Sequence, residues 1–96
     1  MTTSFQVSSV RLTAAPPEGV QGGLIGWVSL ILCGSLQLDG LALRRTLDGR
    51  LALAFPCRTD ARGQRHHLVR PIDDRARREI EHAVFRALGL LEAAER

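Results

Sequence analysis

The ten residues LIGWVSLILC, positions 24–33, are the most apolar stretch of this 96-residue chain. In a β-strand, successive side chains point to opposite faces. One face of this stretch carries Leu24, Gly26, Val28, Leu30 and Leu32, and the other carries Ile25, Trp27, Ser29, Ile31 and Cys33. Because both faces are apolar, we predict a strand that is covered on both sides.

The second face of this strand needs a partner, because one helix covers only one face of a small sheet. A tryptophan on a central strand is more often a core or interface anchor than a ligand platform. We therefore expect a homodimer whose interface includes Trp27, Ile25 and Ile31.

Shorter strand patterns flank this stretch at 5–12, 35–45, 51–57 and 64–69, and the loop at 13–23 contains Pro16 and Pro17. The alternation slips at Asp39-Gly40, which predicts a β-bulge or a sharp bend. Asp48-Gly49 predicts a hairpin turn. The connections are short, so the sheet is expected to be antiparallel.

A helix is predicted from about Asp74 to Leu88, with Asp73 as its N-cap. Its predicted apolar stripe comprises Ala76, Ile80, Ala83, Val84, Ala87 and Leu88. The predicted fold is therefore α+β: a single antiparallel sheet of about five strands with one C-terminal helix, forming one domain over residues 1–96.

Positive charge is concentrated in one part of the chain. Residues 58–78 carry seven arginines and three aspartates, a net charge of +4, and the chain contains no lysine. Guanidinium groups suit phosphate or carboxylate partners, although most charged runs are only solvated faces. Charge and composition leave both interpretations open.

Other kinds of site find little support in the sequence. His66 and His67 are adjacent on a predicted strand and point to opposite faces, so they do not chelate one metal together. Cys57 with either histidine is the only nucleophile–base pair to consider, and nothing in the sequence supplies an oxyanion donor. We therefore expect no enzyme activity, cofactor, metal or small-molecule substrate.

The cellular location follows from similar considerations. The first residues lack the apolar segment of a signal peptide, and about ten apolar residues are too few for a membrane span. Cys33 and Cys57 form no disulfide framework, and we expect two buried or half-buried thiols. A cytoplasmic protein without a membrane partner is expected.

The order and spacing of several short motifs resemble the bacterial SpoVG family (stage V sporulation protein G, or septation protein). These motifs are VRL at 10–12, the two-faced strand, LALAFP at 51–56, Gly63, RPID at 70–73 and a helix with R.EI..AV at 77–84. The likeness covers roughly residues 5–88. It is most specific from Ala54 to Ile72, which matches the family pattern Ala-Met-Pro-Ser-Lys-Arg…Gly…His-Pro-Ile without a gap.

The resemblance implies a homodimeric bacterial regulator of sporulation or septation that binds DNA or RNA. Arg58 stands at the first position of the family's basic pair, and Thr59 replaces the second. The basic character is kept but rearranged by other residues of the segment. The nucleic-acid-binding residues expected here are Arg58, Arg62, Arg65, His66 and Arg70, with Arg75 and Arg78 as an extension of the patch.

A second hypothesis belongs to a different class of function. The protein is then an interaction or self-assembly module that binds itself or a protein partner, without nucleic acid. Its exposed strand edges add to a partner's sheet through main-chain hydrogen bonds.

Overall fold

The computed structural model describes residues 6–17 and 22–90. Its strands are β1 (Val7–Ala14), β2 (Leu24–Leu32), β3 (Leu36–Arg45), β4 (Leu51–Ala54), β5 (Cys57–Thr59) and β6 (Arg65–His67), and its C-terminal helix α1 spans Asp74–Ala87. Strands β1 to β4 form one antiparallel sheet in chain order, and β5 pairs with β6 in a separate sheet. The α+β class is confirmed, but the described strands divide into four and two instead of forming one sheet of about five.

The hydrophobic core lies between one face of the four-stranded sheet and α1. It contains Val28 and Leu30 from the apolar stretch, and other leucines from β3 and β4. Helix residues Ile80, Val84 and Phe85 pack against them. The predicted division of β2 into two faces is therefore correct for the buried face, where Gly26, Val28 and Leu30 are all buried.

The predicted irregularity at Asp39-Gly40 is confirmed. Leu30 pairs with Leu38 whereas Val28 pairs with Leu41, so β3 has one more residue than β2 between these two pairs. Gly40 has a φ of 76°, a backbone conformation that glycine adopts without steric cost. The bulge keeps Leu38 and Leu41 on the same buried face despite their odd spacing.

The four-stranded sheet ends at a proline. The main-chain groups of Leu53 bond to side chains of α1, so the groups that face β3 belong to Ala52 and Ala54, which lie opposite Arg44 and Ala42. The next residue of this series is Pro56, which has no N–H to donate to the ladder. The chain therefore leaves β3 at this point, and the predicted strand 51–57 becomes the separate strands β4 and β5.

The helix begins as predicted and packs slightly differently. Asp73 is the N-cap, and its carboxylate accepts a hydrogen bond from the backbone N–H of Ala76 at 2.8 Å. The buried helix residues are Ala76, Ile80, Val84 and Phe85. Phe85 was not among the predicted stripe residues, and Ala87, which was, is exposed.

The helix also covers the outer edge of β4. Glu81 accepts a hydrogen bond from the backbone N–H of Leu53 at 2.9 Å, and Arg77 donates to the carbonyl of Leu53, also at 2.9 Å. These two main-chain groups point away from β3, and an uncovered pair of this kind is a template for an additional strand. The side chains of α1 therefore close β4 to strand addition at this position.

Two further predictions concern membranes and cysteines. Within residues 6–17 and 22–90, no helix has the length and apolar character to cross a membrane.

Cys57 is half-buried as expected, but Cys33 is exposed. Cys33 lies in the turn between β2 and β3 with a φ of 53°, so the prediction of a buried or half-buried thiol is wrong there because the apolar strand ends one residue earlier.

Candidate nucleic-acid interface

Residues 57–67, which we call the arm, form a hairpin made of β5, the five-residue connection 60–64 and β6. The turn runs from Asp60 to Gly63, and the N–H of Gly63 donates to the carbonyl of Asp60 at 3.0 Å. Gly63 has a φ of 81°, which glycine accommodates readily. Only Cys57 and Asp60 of the arm are half-buried, and its other residues are exposed. The segment 58–63, which was predicted to be a polar connection, therefore includes Arg58 and Thr59 of β5.

Strand register distributes the arginines of the arm over two faces. Arg58 lies directly opposite His66, and Arg65 lies opposite Thr59. Since neighbouring residues of a strand point to opposite sides, Arg58 and Arg65 occupy different faces of the hairpin. Arg62 lies in the turn at its tip. The predicted basic residues thus surround the arm and do not form a single flat patch.

The arginines of this segment have few partners among the described residues. No ion pair there involves Arg58, Arg62, Arg65 or Arg70. The guanidinium of Arg65 donates a hydrogen bond to Sγ of Cys57 at 3.2 Å, which is a weak neutral acceptor. The positive charge of the arm is therefore not neutralised within the described part of the chain.

His66 is bonded to the turn. Its Nε2 lies 2.7 Å from a carboxylate oxygen of Asp60, and the other oxygen of Asp60 accepts the backbone N–H groups of Arg62 and Gln64, each at 2.9 Å. The His66 hydrogen bond, followed by those from Gln64 and Arg62, lowers the pKa of Asp60 below its ordinary value of 3.8. His66 therefore holds the arm in shape, and its ring nitrogen is already used.

Arg70 lies at the base of the arm, where the chain leads into α1. It lines a cavity of about 220 Å³ together with Phe55, His67, Asp73, Asp74 and others. Arg77 also lines this cavity, and its guanidinium lies 5.7 Å from the centroid of the Phe55 ring. This stacking joins the base of the arm to the start of the helix.

Arg75 and Arg78 were expected to extend the basic patch onto the helix, and they differ in whether they form an ion pair. Arg75 forms an ion pair with Glu79 at 3.4 Å, one turn further along α1. Arg78 is exposed and has no ion pair within the described residues. Arg77 is directed toward β4 through Leu53, so of these helix arginines Arg78 is the one without a side-chain partner in the described part of the chain.

Cys57, His66 and His67 lie on the two paired strands of the arm. The register places Cys57 opposite His67, while His66 lies on the other face opposite Arg58. The two adjacent histidines therefore point apart, as the strand pattern predicted. Among the described residues, no three His, Cys, Asp or Glu side chains are arranged to hold a metal ion.

The residues predicted at a dimer interface lie on β2. Trp27 is 38% exposed on the face turned away from α1, and it forms a row across the sheet with Thr13, Ala42 and Ala54. Ile31 is half-buried on the same face, two rows further along β2, opposite Gln37. Ile25 instead packs against the core, because a register shift between Leu24 and Gly26 interrupts the alternation of side chains.

Sequence reasoning did not single out an apolar segment beside the arm. Leu68 is 61% exposed, Val69 37% and Ile72 91%. The sequence pattern at 64–69 indicated only a weak strand and did not predict this exposure. The signal was the run of apolar residues around Arg70 and Pro71 with no alternation to bury them. Exposed apolar clusters of this kind often mark interaction surfaces.

Comparison of the chain with protein-family models and with curated proteins finds no match.

Proposed function

We propose that this protein is a homodimeric, SpoVG-like regulator that binds DNA or RNA through the arm and the following Arg70. The observation that carries the proposal is the set of exposed arginines without an ion pair in the described structure: Arg58, Arg62, Arg65 and Arg70. Each contact between an arginine and a phosphate releases condensed counterions. Binding is therefore expected to weaken steeply as salt increases.

The arm's exposure favours this role over a purely structural one. An arginine that packs against its own fold loses some of its donors to the protein. Arg58 and Arg62 donate no side-chain hydrogen bond within the described residues. Their guanidinium groups keep all their donors for an external anion, and a guanidinium fork matches the geometry of phosphate oxygens.

A salt titration tests the proposal. Binding of fluorescent duplex DNA, RNA and heparin, a polyanion that is not a nucleic acid, is measured at increasing salt concentrations. The proposal predicts nucleic-acid binding at low salt that the triple variant Arg58→Glu, Arg62→Glu, Arg65→Glu abolishes while its circular dichroism spectrum stays unchanged. Absence of binding at low salt, or binding that does not depend on salt, contradicts it.

The dimer is proposed to form through the sheet face that carries Trp27. In the single chain this face is not covered by α1, and its central row offers the small side chains of Ala42 and Ala54 beside the tryptophan. A tryptophan flanked by small residues suits close packing against another surface. Mass measurement in solution is expected to give a dimer, and Trp27→Arg is expected to shift it toward the monomer.

A protein-interaction or self-assembly module is the second candidate. Its support is the exposed apolar segment Leu68, Val69 and Ile72, which a polyanion does not cover. Under this alternative, Leu68→Ser with Ile72→Ser disrupts a hetero-complex or open polymers, and the triple arginine variant has no effect. A closed dimer fits both candidates, so the binding titration decides between them.

A further inference from the structure

The placement of arginines on both faces and at the tip of the arm indicates a particular kind of nucleic acid. We propose that the arm enters the major groove of duplex DNA tip first, as a two-stranded ribbon. This inference rests on the proposed function and specifies its substrate class. In this orientation, Arg58 and Arg65 face the two sugar–phosphate walls and Arg62 faces the base edges.

The dimensions of the arm fit this groove. Strands in a ribbon lie about 4.8 Å apart, and a sheet with its side chains is about 10 Å thick. The major groove of B-form DNA is about 12 Å wide and admits a two-stranded ribbon. In A-form RNA the major groove is deep and too narrow for side chains to read, so duplex RNA is not the expected partner.

The distribution of charge fits two walls better than one surface. Arg58 lies opposite His66 on one face, and Arg65 lies opposite Thr59 on the other. A flat polyanion that meets one face would leave one of these arginines in solvent. A groove has a phosphate backbone on each side, so both guanidinium groups contact phosphate at once.

A single strand is a poorer partner for the arm. Proteins that bind single strands stack the bases on aromatic side chains. The sequence has no Phe, Tyr or Trp between Phe55 and Phe85, and both of these phenylalanines are buried in the core. The arm therefore offers charge without a Phe, Tyr or Trp platform for unpaired bases.

The tip is built to present one side chain. Asp60 accepts the backbone N–H of Arg62 at 2.9 Å, and the turn is closed by the bond from Gly63 to Asp60. These bonds fix the main chain at Arg62 and leave its guanidinium unengaged in the described residues. An arginine fork at this place suits the acceptor pair of guanine in the major groove.

The test compares duplex DNA, single-stranded DNA of the same sequence and duplex RNA by fluorescence anisotropy over a salt series. The variants are Arg58→Ala, Arg65→Ala and Arg62→Ala, with Arg50→Ala on the other hairpin as a control of equal charge. Duplex DNA is expected to bind most tightly. Arg58→Ala and Arg65→Ala are each expected to reduce the slope of log K against log salt by about 0.9, and Arg50→Ala to leave it unchanged.

Arg62→Ala is expected to narrow the spread of affinities across duplexes of different sequence, by about fivefold or more. Single-stranded DNA or duplex RNA bound as tightly as duplex DNA overturns the inference, and so does a slope that changes in only one of the Arg58 and Arg65 variants. Either result still leaves the proposed function standing. If the unmodified protein binds no nucleic acid at all, both the inference and the proposed function are overturned.

Discussion

The molecule contains two hairpins of equal charge that use their arginines differently. Residues 44–50, from the end of β3 to the start of β4, carry three arginines and one aspartate, and so does the arm at 57–67, a net charge of +2 in each. Each turn contains an aspartate followed by a glycine with positive φ. These are Asp48 and Gly49 in the first hairpin and Asp60 and Gly63 in the arm. By sequence composition the two hairpins are nearly equivalent, and only the structure distinguishes them.

The arginines of the β3–β4 hairpin have partners within the protein. Arg44 donates to the carbonyl of Gly22 at 3.2 Å, Arg45 to the carbonyl of Gly49 at 3.0 Å, and Arg50 lies 3.6 Å from Asp48. In the arm, Arg65 bonds to a thiol and to no other side chain among residues 6–17 and 22–90. A count of basic residues therefore does not distinguish the two hairpins, whereas the partners of each guanidinium do.

The largest expected effect is the difference in unfolding free energy between a substitution in β3 and one beside the arm. Leu43 in β3 is fully buried, so Leu43→Ala is expected to lower the free energy of unfolding by about 2–5 kcal/mol. Leu68, next to the arm, is largely exposed, and Leu68→Ala is expected to change it by less than about 0.5 kcal/mol. Chemical denaturation measures both, and comparable losses would show that the segment following the arm packs as tightly as the core.

A smaller effect concerns the closed edge of β4. Glu81→Ala leaves the N–H of Leu53 without its acceptor, which is expected to cost about 1–3 kcal/mol and to increase self-association through the opened edge. Glu79→Ala is the matched control, because the one ion pair of Glu79 in the described part of the chain is with the exposed Arg75. The interpretation fails if both variants unfold at the same denaturant concentration and both stay unassociated.

The two turn glycines provide a matched pair of substitutions. A Cβ at Gly49 or at Gly63 meets no other atom within 4 Å, so the cost of alanine is the positive φ, about 1–2 kcal/mol. Gly49→Ala is expected to lower the melting temperature, because its hairpin carries part of the core. Gly63→Ala is expected to reduce amide protection only in the arm, and a matching fall in melting temperature would contradict its independence.

The smallest expected effect concerns the pKa values of the two turn aspartates, Asp48 and Asp60. The Thr46 hydroxyl, the backbone N–H of Arg50 and its charge lower the pKa of Asp48, while His66 and the turn N–H groups lower that of Asp60. Both carboxylates therefore stabilise their turns above the unfolded pKa of about 3.9, and this contribution is lost as pH falls through the lower folded pKa.

His66→Ala distinguishes these two aspartates. It is expected to raise the pKa of Asp60 toward its ordinary value and to leave that of Asp48 unchanged, since His66 is the largest cause of the shift only at Asp60. Carboxyl carbon shifts in an NMR titration report both residues in one sample. Equal movement of the two pKa values, or none, would show that His66 does not hold the arm's turn.

Most of the body of the fold could be predicted from the sequence. The apolar run at 24–33 and the shorter strand patterns around it predicted β1 to β4, the slip at Asp39-Gly40 predicted the bulge, and Asp73 predicted the start of the helix within one residue. The predicted strand at 64–69 contains β6. The separate two-stranded arm could not be predicted from alternation, because β5 and β6 are three residues each and have no buried face. The proline at 56 was the available signal for their separation.

The candidate site was predictable in composition and unpredictable in geometry. The sequence indicated which arginines to consider, but their faces follow from the pairing of Arg58 with His66, which is set by a turn that the sequence suggested only through Gly63. The use of His66 by Asp60 is a contact between side chains six residues apart. Such contacts depend on turn geometry and leave no periodic pattern.

The central claim is that the arm, and not positive charge in general, binds nucleic acid. The most direct measurement compares duplex DNA binding by Arg58→Ala, Arg62→Ala, Arg65→Ala with binding by Arg44→Ala, Arg45→Ala, Arg50→Ala, two triple variants of identical net charge. We predict that the arm variant loses most of its affinity and most of its salt dependence, while the β3–β4 variant, checked to be folded, binds nearly as the unmodified protein does. Equal losses in the two variants would contradict the claim.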